Sequence, residues 1–316
     1  MIVSLLIWET PYIPAIEKFL GEKITECRTK EAALKVLPEA EVVIVRGGGG
    51  LQLDDDMLNL SDRLKLVLSI SAGMENMPLR LLHDRDIAVC NTKGAHAASI
   101  AEYVLCGMLT AAHRFQKFFR QQSSSFWQTD FAGEDIDGKT LVVIGTGSIG
   151  SQIAKKANAF DMTVYGIKRC PEPLDGFDAV WGLDRLHDAL ALADYAVLAA
   201  PLTPDTYHLM GDKEFSCMKK SAVFINISRG DTVDENALVK ALRDKAIAGA
   251  VLDVFHTEPL PEDSPFWAME NVLVTPHSAG TTRSAERKTI DLLCDNIMRL
   301  RSGQPLINQV DKGGSY

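Results

Sequence analysis

Leu141-Val142-Val143-Ile144 runs directly into Gly145-Thr146-Gly147-Ser148-Ile149-Gly150, and Ser151 to Phe160 follows with the composition of a helix. A strand, a G-x-G-x-x-G turn and a helix in that order are the arrangement that a dinucleotide pyrophosphate requires. Gly145 permits the tight turn, Gly147 lets backbone approach the phosphates, and Gly150 allows the helix to pack closely on the strand. Backbone amides from Thr146 through Ser148 and Ile149 then face the phosphates at the helix N-terminus.

The same rhythm extends outward in both directions. Short apolar runs recur at Glu41 to Val45, Leu64 to Ile70, Ile87 to Cys90, Thr163 to Ile167, Tyr195 to Ala199, Val223 to Ile227, Ala248 to Leu252 and Val272 to Val274. Amphipathic stretches separate them, which predicts parallel α/β sheets, with Ile2 to Trp8 as a first strand. Ile100, Val104, Leu105, Met108, Leu109 and Phe115 recur near a 3.6-residue period and predict one long helix from about Ala98 to Arg120. Ser99, with Glu102 three residues on, is its cap candidate. The polar stretch Gln121 to Asp137 reads as a surface connection, and the domain crossover is expected near this helix.

The chain has 316 residues, 46% of them hydrophobic and 24% charged. At about 150 residues per domain that allows two domains and argues against disorder and simple repeats. Forty-two acids against 33 Lys and Arg give a net charge of −9. With no basic stripe, this disfavours nucleic-acid and anionic-membrane partners. Ile2 to Trp8 is too short for a membrane span and has no preceding basic residue, so it is poorly built for a signal peptide. Cysteines at 27, 90, 106, 170, 217 and 294 match neither a disulfide scaffold nor zinc-ligand spacing. The expectation is a reducing, cytoplasmic setting and no metal.

Gly133-Glu134-Asp135-Ile136-Asp137-Gly138-Lys139-Thr140 matches the triphosphate-binding pattern G-x-x-x-x-G-K-T. Its Lys-Thr opens a strand rather than a helix, and three acids occupy the loop, so it reads as a turn. The choice of nicotinamide cofactor is made at the end of the strand after the glycine loop, where an acid would bind a free ribose 2′-hydroxyl. Lys168-Arg169 stands there instead. Two cations suit a 2′-phosphate, which predicts preference for NADP(H), with NAD(H) as the lesser cofactor; a solvated basic turn is the alternative.

Three segments that follow apolar runs carry the remaining chemistry: Asn226 to Gly230, Leu252 to Pro259 and Thr275 to Gly280. In a doubly wound sheet they fall at the carboxyl edge, where ligands bind. A 2-oxo acid needs a cation for its carboxylate, a polarised carbonyl and a proton donor. Arg229 meets the first two needs and His277 the third, with Glu258 bonded to the imidazole to orient it and favour its protonated form.

These segments, together with Gly145 to Gly150 and Pro201-Leu202-Thr203-Pro204-Asp205-Thr206, are similar in order and spacing to the D-isomer-specific 2-hydroxyacid dehydrogenase family. The resemblance covers most of the chain from about 90 to 285. It implies two Rossmann-like doubly wound parallel-sheet domains with a cleft between them. Residues 96–285 would form the dinucleotide-binding domain, and 1–95 with 286–316 a discontinuous, flavodoxin-like substrate domain. It further implies Arg229 on substrate, His277 as general acid/base, Glu258 as its partner, Asp253 on the nicotinamide carboxamide, Pro201 and Thr206 beside the cofactor, and a homodimer through the long helix. Ser71-Ala72-Gly73-Met74-Glu75-Asn76 is similar to the family's carboxylate-binding loop, with Glu75 where Asp is usual. Arg120 to Trp127, Lys168-Arg169 and the ending Gln309 to Tyr316 resemble the glyoxylate/hydroxypyruvate reductases.

Among the other histidines, His256 is a decoy candidate two residues from Glu258, and His96 lies near the expected hinge. Arg46 reads either as a second cation for the substrate carboxylate or as a solvated strand end. Trp127 reads either as a residue closing over the site in a dimer or as a buried anchor. The sequence thus predicts NADPH-dependent reduction of a small 2-oxo acid, glyoxylate or hydroxypyruvate, to the D-2-hydroxy acid. The alternatives are a bulkier 2-oxo acid, 3-phosphoglycerate oxidation, which would suit a chain with a regulatory domain better, and a nucleotide-sensing interaction protein on the same fold.

Overall fold

The computed structural model describes residues 1–7, 11–47, 51–74, 77–129 and 132–311. Trp8 of the expected first strand, Glu75 and Asn76 of the carboxylate loop, and the last residues of the ending, Lys312 to Tyr316, lie outside them. The chain divides into two units, Met1–His96 with Thr282–Tyr316, and Ala97–Thr281.

In the first unit β1 (Ile2–Ser4), β2 (Ile24–Glu26), β3 (Val42–Val45), β4 (Leu66–Ser69) and β5 (Ala88–Cys90) form a parallel sheet in the order β2-β1-β3-β4-β5. Every residue of β3 and β4 is buried, as central parallel strands covered on both faces must be. The C-terminal helix Arg283–Ser302 joins this unit by packing Leu293, Cys294 and Ile297 with Ile13 and Ile16. Thr282 caps that helix, its hydroxyl oxygen accepting the Ala285 N–H at 3.2 Å, so the chain returns to this unit at residue 282.

The second unit holds β6 (Thr140–Ile144), β7 (Thr163–Ile167), β8 (Ala179–Trp181), β9 (Tyr195–Leu198), β10 (Val223–Asn226), β11 (Gly249–Leu252) and β12 (Val272–Val274), all parallel, in the order β12-β11-β10-β9-β6-β7-β8. Strand order reverses between β6 and β9. The glycine loop therefore leaves β6 at the switch point, where a crevice opens between the two directions of winding.

The expected single helix is two helices, Ala97–Ala112 and Phe115–Ser123. Arg114 breaks it at φ +57°. The returning chain holds the break, with the Glu134 N–H donating to the Ala112 carbonyl and Arg114 Nε to the Ala132 carbonyl, both at 2.9 Å. The apolar period runs across the break, so it gave no warning. Ser99 is the third residue of the first helix and buried, not a cap. The stretch read as a connection from Gln121 begins only after Ser123. Among the described residues no helix is long and apolar enough to cross a membrane.

Candidate active site

At the glycine loop the backbone is packed to the limit on one side and open on the other. Gly145 has φ +101°, and a Cβ there would lie 2.6 Å from the Ala200 nitrogen. A Cβ on Gly150 would overlap the Gly145 carbonyl, whereas one on Gly147 would meet nothing within 4 Å. The helix Ser148–Ala157 begins here, and the N–H groups of its first turn have no partner within the helix. The Thr146 hydroxyl is buried with no hydrogen-bond partner among the described residues. An open face, free amides and a helix N-terminus fit a dinucleotide pyrophosphate.

Lys168 and Arg169 follow β7 directly. The structure qualifies the expected pair of cations, because Lys168 Nζ is ion-paired with Glu172 while Arg169 is exposed. The hydrogen bond from Lys168 holds the Glu172 carboxyl below its ordinary pKa. Beyond β9, the Thr206 hydroxyl donates to the Pro201 carbonyl at 2.6 Å and accepts the Thr203 N–H at 2.8 Å. That hydroxyl builds the turn that leaves Pro201 exposed.

The three segments singled out in the sequence stand side by side at the carboxyl ends of β10, β11 and β12. The Arg229 carbonyl accepts from Asn226 Nδ2 at 3.1 Å and Thr232 Oγ1 at 2.6 Å, which pins the backbone carrying the guanidinium. Gly230 lies against the peptide joining Phe255 to His256, where a Cβ would overlap it, so the Arg229 and Glu258 loops touch through backbone. His277 Nδ1 is 2.8 Å from Glu258 Oε2, and Glu258 Oε1 accepts the Phe255 N–H at 3.0 Å. Burial pushes the Glu258 carboxyl up. The hydrogen bonds from His277 and Phe255, with the charges of His277 and Arg229, outweigh it and hold the group below its ordinary value. With Nδ1 engaged, Nε2 is the ring nitrogen left to exchange a proton with a ligand.

Asp253 is only 2% exposed. Its carboxylate accepts from Thr275 Oγ1 at 2.6 Å and from the N–H groups of Ser278 and Ala279 at 2.8 and 3.0 Å. These bonds wrap the His277 turn around it, a role the sequence reading did not assign. Tyr103, whose hydroxyl lies 2.6 Å from Thr275 Oγ1, was also missed, because it sits among the apolar positions of a helix.

In the first unit the structure brings together two segments read separately. The Gly47 N–H donates to Ser71 Oγ at 2.8 Å, and a Cβ on Gly47 would overlap the Gly73 carbonyl. Arg46 is thereby anchored beside the loop Ser71, Ala72, Gly73 and Met74, of which Met74 is buried.

The remaining candidates resolve as follows. His256 Nδ1 is paired with Asp231, and His83 Nε2 lies 3.1 Å from the Val310 carbonyl oxygen. Lys139 is 2.8 Å from Glu134, and Thr140 opens β6, so the G-x-x-x-x-G-K-T stretch is a turn. Trp127 is 90% exposed, which removes its reading as a buried anchor. Among the described residues no group of three His, Cys, Asp or Glu could hold a metal ion.

A Rossmann sheet with a glycine loop, and an Arg, Glu and His at its carboxyl edge, define a nicotinamide-dependent oxidoreductase. Residues 105–279 match the family profile described as D-isomer specific 2-hydroxyacid dehydrogenase, NAD binding domain. The chain belongs to this family. It is 34% identical over 277 residues to glyoxylate/hydroxypyruvate reductase B of Yersinia pestis, a match covering 85% of this chain and 83% of that one. It is 33% identical over 285 residues to D-3-phosphoglycerate dehydrogenase of Methanocaldococcus jannaschii, covering 90% of this chain but only 54% of that protein. The chain thus spans about half the length of that relative. In structure it is similar to an NADPH-dependent glyoxylate/hydroxypyruvate reductase from Sinorhizobium meliloti solved with NADP and sulfate. The TM-score is 0.85 at 26% identity, covering 100% of this chain and 99% of that one.

Proposed function

We propose that the protein reduces a small 2-oxo acid, glyoxylate or hydroxypyruvate, to the D-2-hydroxy acid with NADPH. The observation that carries this reading is the His277–Glu258 pair at 2.8 Å, set in a loop that touches the loop of Arg229. The Gly145 to Gly150 loop would hold the pyrophosphate and Arg169, with Lys168, the 2′-phosphate; the bound dinucleotide supplies hydride. Arg229 binds the substrate carboxylate and polarises the carbonyl. His277, protonated and held by ionised Glu258, gives the Nε2 proton to the carbonyl oxygen. Asp253 is assigned to the nicotinamide carboxamide, and the remaining capacity of its carboxylate allows that role. Ser71 to Met74 and Arg46 are assigned to the substrate carboxylate from the first unit. The exposed aromatic helix Phe115–Ser123 is assigned to a homodimer contact.

The test is initial-rate oxidation of NADPH and of NADH by the pure protein with glyoxylate, hydroxypyruvate, pyruvate and phenylpyruvate, beside oxidation of 3-phosphoglycerate. NADPH-dependent turnover of the two small acids is expected. Turnover of phenylpyruvate or 3-phosphoglycerate alone would replace the substrate and keep the proton chemistry. Tight nucleotide binding with no turnover would replace the enzyme by a nucleotide sensor.

A further inference from the structure

Tyr103 is partly buried in the helix Ala97–Ala112 and has no part in the chemistry above. Its hydroxyl is 2.6 Å from Thr275 Oγ1, which is itself 2.6 Å from Asp253 Oδ1. Proton counting gives the direction of this chain. A threonine hydroxyl has one hydrogen and an ionised carboxylate can only accept, so Thr275 donates to Asp253 and Tyr103 donates to Thr275. Burial raises the Tyr103 phenol above its ordinary pKa, which keeps the donated proton in place.

The acceptor at the end of the chain organises the turn that carries the proton donor. The Asp253 carboxylate takes the Thr275 hydroxyl and the N–H groups of Ser278 and Ala279, and its carbonyl takes the His277 N–H at 2.8 Å. All four donors lie between residues 275 and 279. His277 itself has φ +50°, a left-handed conformation that is uncommon for residues other than glycine, so the turn that carries it is a specific one. Thr275 without Tyr103 would be free to turn its hydroxyl elsewhere, and the carboxylate would lose a polarised partner.

We infer that Tyr103 is a positioning residue, which acts through Thr275 and Asp253 to fix the turn that aims His277 at the reacting carbonyl. This rests on the reading of His277 as proton donor. The test compares the full chain with Tyr103→Phe, Thr275→Val, the double variant and Thr275→Ser. It reads steady-state kinetics, nucleotide affinity, and amide hydrogen exchange across residues 272–281 without ligand. Tyr103→Phe is expected to lower kcat about five- to tenfold, with KM and nucleotide Kd within about twofold, and to speed exchange at Ser278 and Ala279. Thr275→Val loses at least as much, the double variant loses no more than Thr275→Val alone, and Thr275→Ser retains activity because the hydroxyl remains. Unchanged kcat in Tyr103→Phe, or additive losses in the double variant, would overturn the inference. If the unaltered protein reduces no 2-oxo acid, the proposed function fails. Exchange at 275–279 then still decides the relay, faster exchange in Tyr103→Phe supporting it and unchanged exchange overturning it.

Discussion

His277 Nδ1 and Glu258 Oε2 lie 2.8 Å apart, and the other Glu258 oxygen is occupied by the Phe255 N–H at 3.0 Å. The carboxylate is fixed by its own loop before it fixes the imidazole, so Glu258→Gln removes charge while keeping shape. We expect kcat to fall about 100-fold, with a smaller change in KM. The pH dependence has a definite sign. Because the folded state holds Glu258 below its ordinary pKa, the stabilisation is complete above the unfolded value and is lost as pH falls through the folded one. The difference in Tm between the unaltered protein and Glu258→Gln should be largest at neutral pH and shrink as pH falls below the ordinary carboxylate range. A constant difference across that range would remove the ionic role.

Lys168 and Glu172 are already ion-paired beside the expected 2′-phosphate position, so the two cations there are unequal. Arg169→Ala should raise the KM for NADPH about tenfold and leave that for NADH nearly unchanged. Glu172→Gln releases Lys168 and should lower the KM for NADPH, with the gain shrinking as salt rises. Equal responses of the two cofactors to Arg169→Ala would count against the phosphate assignment.

Gly230 is held against the Phe255–His256 peptide with no room for a methyl group. Gly230→Ala must push the Arg229 loop away from the Glu258 loop. Overpacking of this kind costs about 1–3 kcal/mol. The larger effect is expected in kcat/KM, lowered about 100-fold because Arg229 and His277 lose their relative placement. Wild-type kcat/KM in this variant would show that the contact does not set the geometry.

Arg46 stands beside the Ser71 to Met74 loop through the Gly47 N–H bond to Ser71. If it binds the substrate carboxylate, Arg46→Ala raises KM about tenfold and lowers kcat by less. An unchanged KM would return Arg46 to an ordinary strand end.

Much of the candidate site was legible in the sequence because the residues proposed for it follow buried strands, whose unbroken apolar runs announce them. Val223 to Asn226 and Gly249 to Leu252 are buried throughout; Arg229 comes three residues after the first and Asp253 directly after the second. The edge strands Ile24–Glu26 and Ala179–Trp181 were missed because a strand paired on one side needs no continuous apolar run. The break at Arg114 was hidden because what stops the helix is the chain returning at 132–134, some twenty residues later. Tyr103 and Lys168 were under-read for a related reason. What a phenol or an ammonium does depends on its partner, and Thr275 is 172 residues from Tyr103.

The helix Phe115–Ser123 buries none of its residues within its own chain. Phe115, Phe118 and Phe119 form one apolar face, with Phe115 and Phe119 stacked at 6.1 Å, and Phe119 is 59% exposed. A face of this size on a chain of net charge −9 is a liability unless a partner covers it, and a second copy of the chain is the occupant proposed above. Phe119→Asp should therefore convert a dimer to a monomer in sedimentation velocity while leaving the secondary-structure spectrum unchanged, since the ring supports no core of its own chain. Trp127, exposed four residues beyond that helix, gives a second readout. If it closes over the partner's site, Trp127→Ala raises the KM for the 2-oxo acid in the dimer and changes nothing in the Phe119→Asp monomer. A monomeric unaltered protein with full activity would end both assignments.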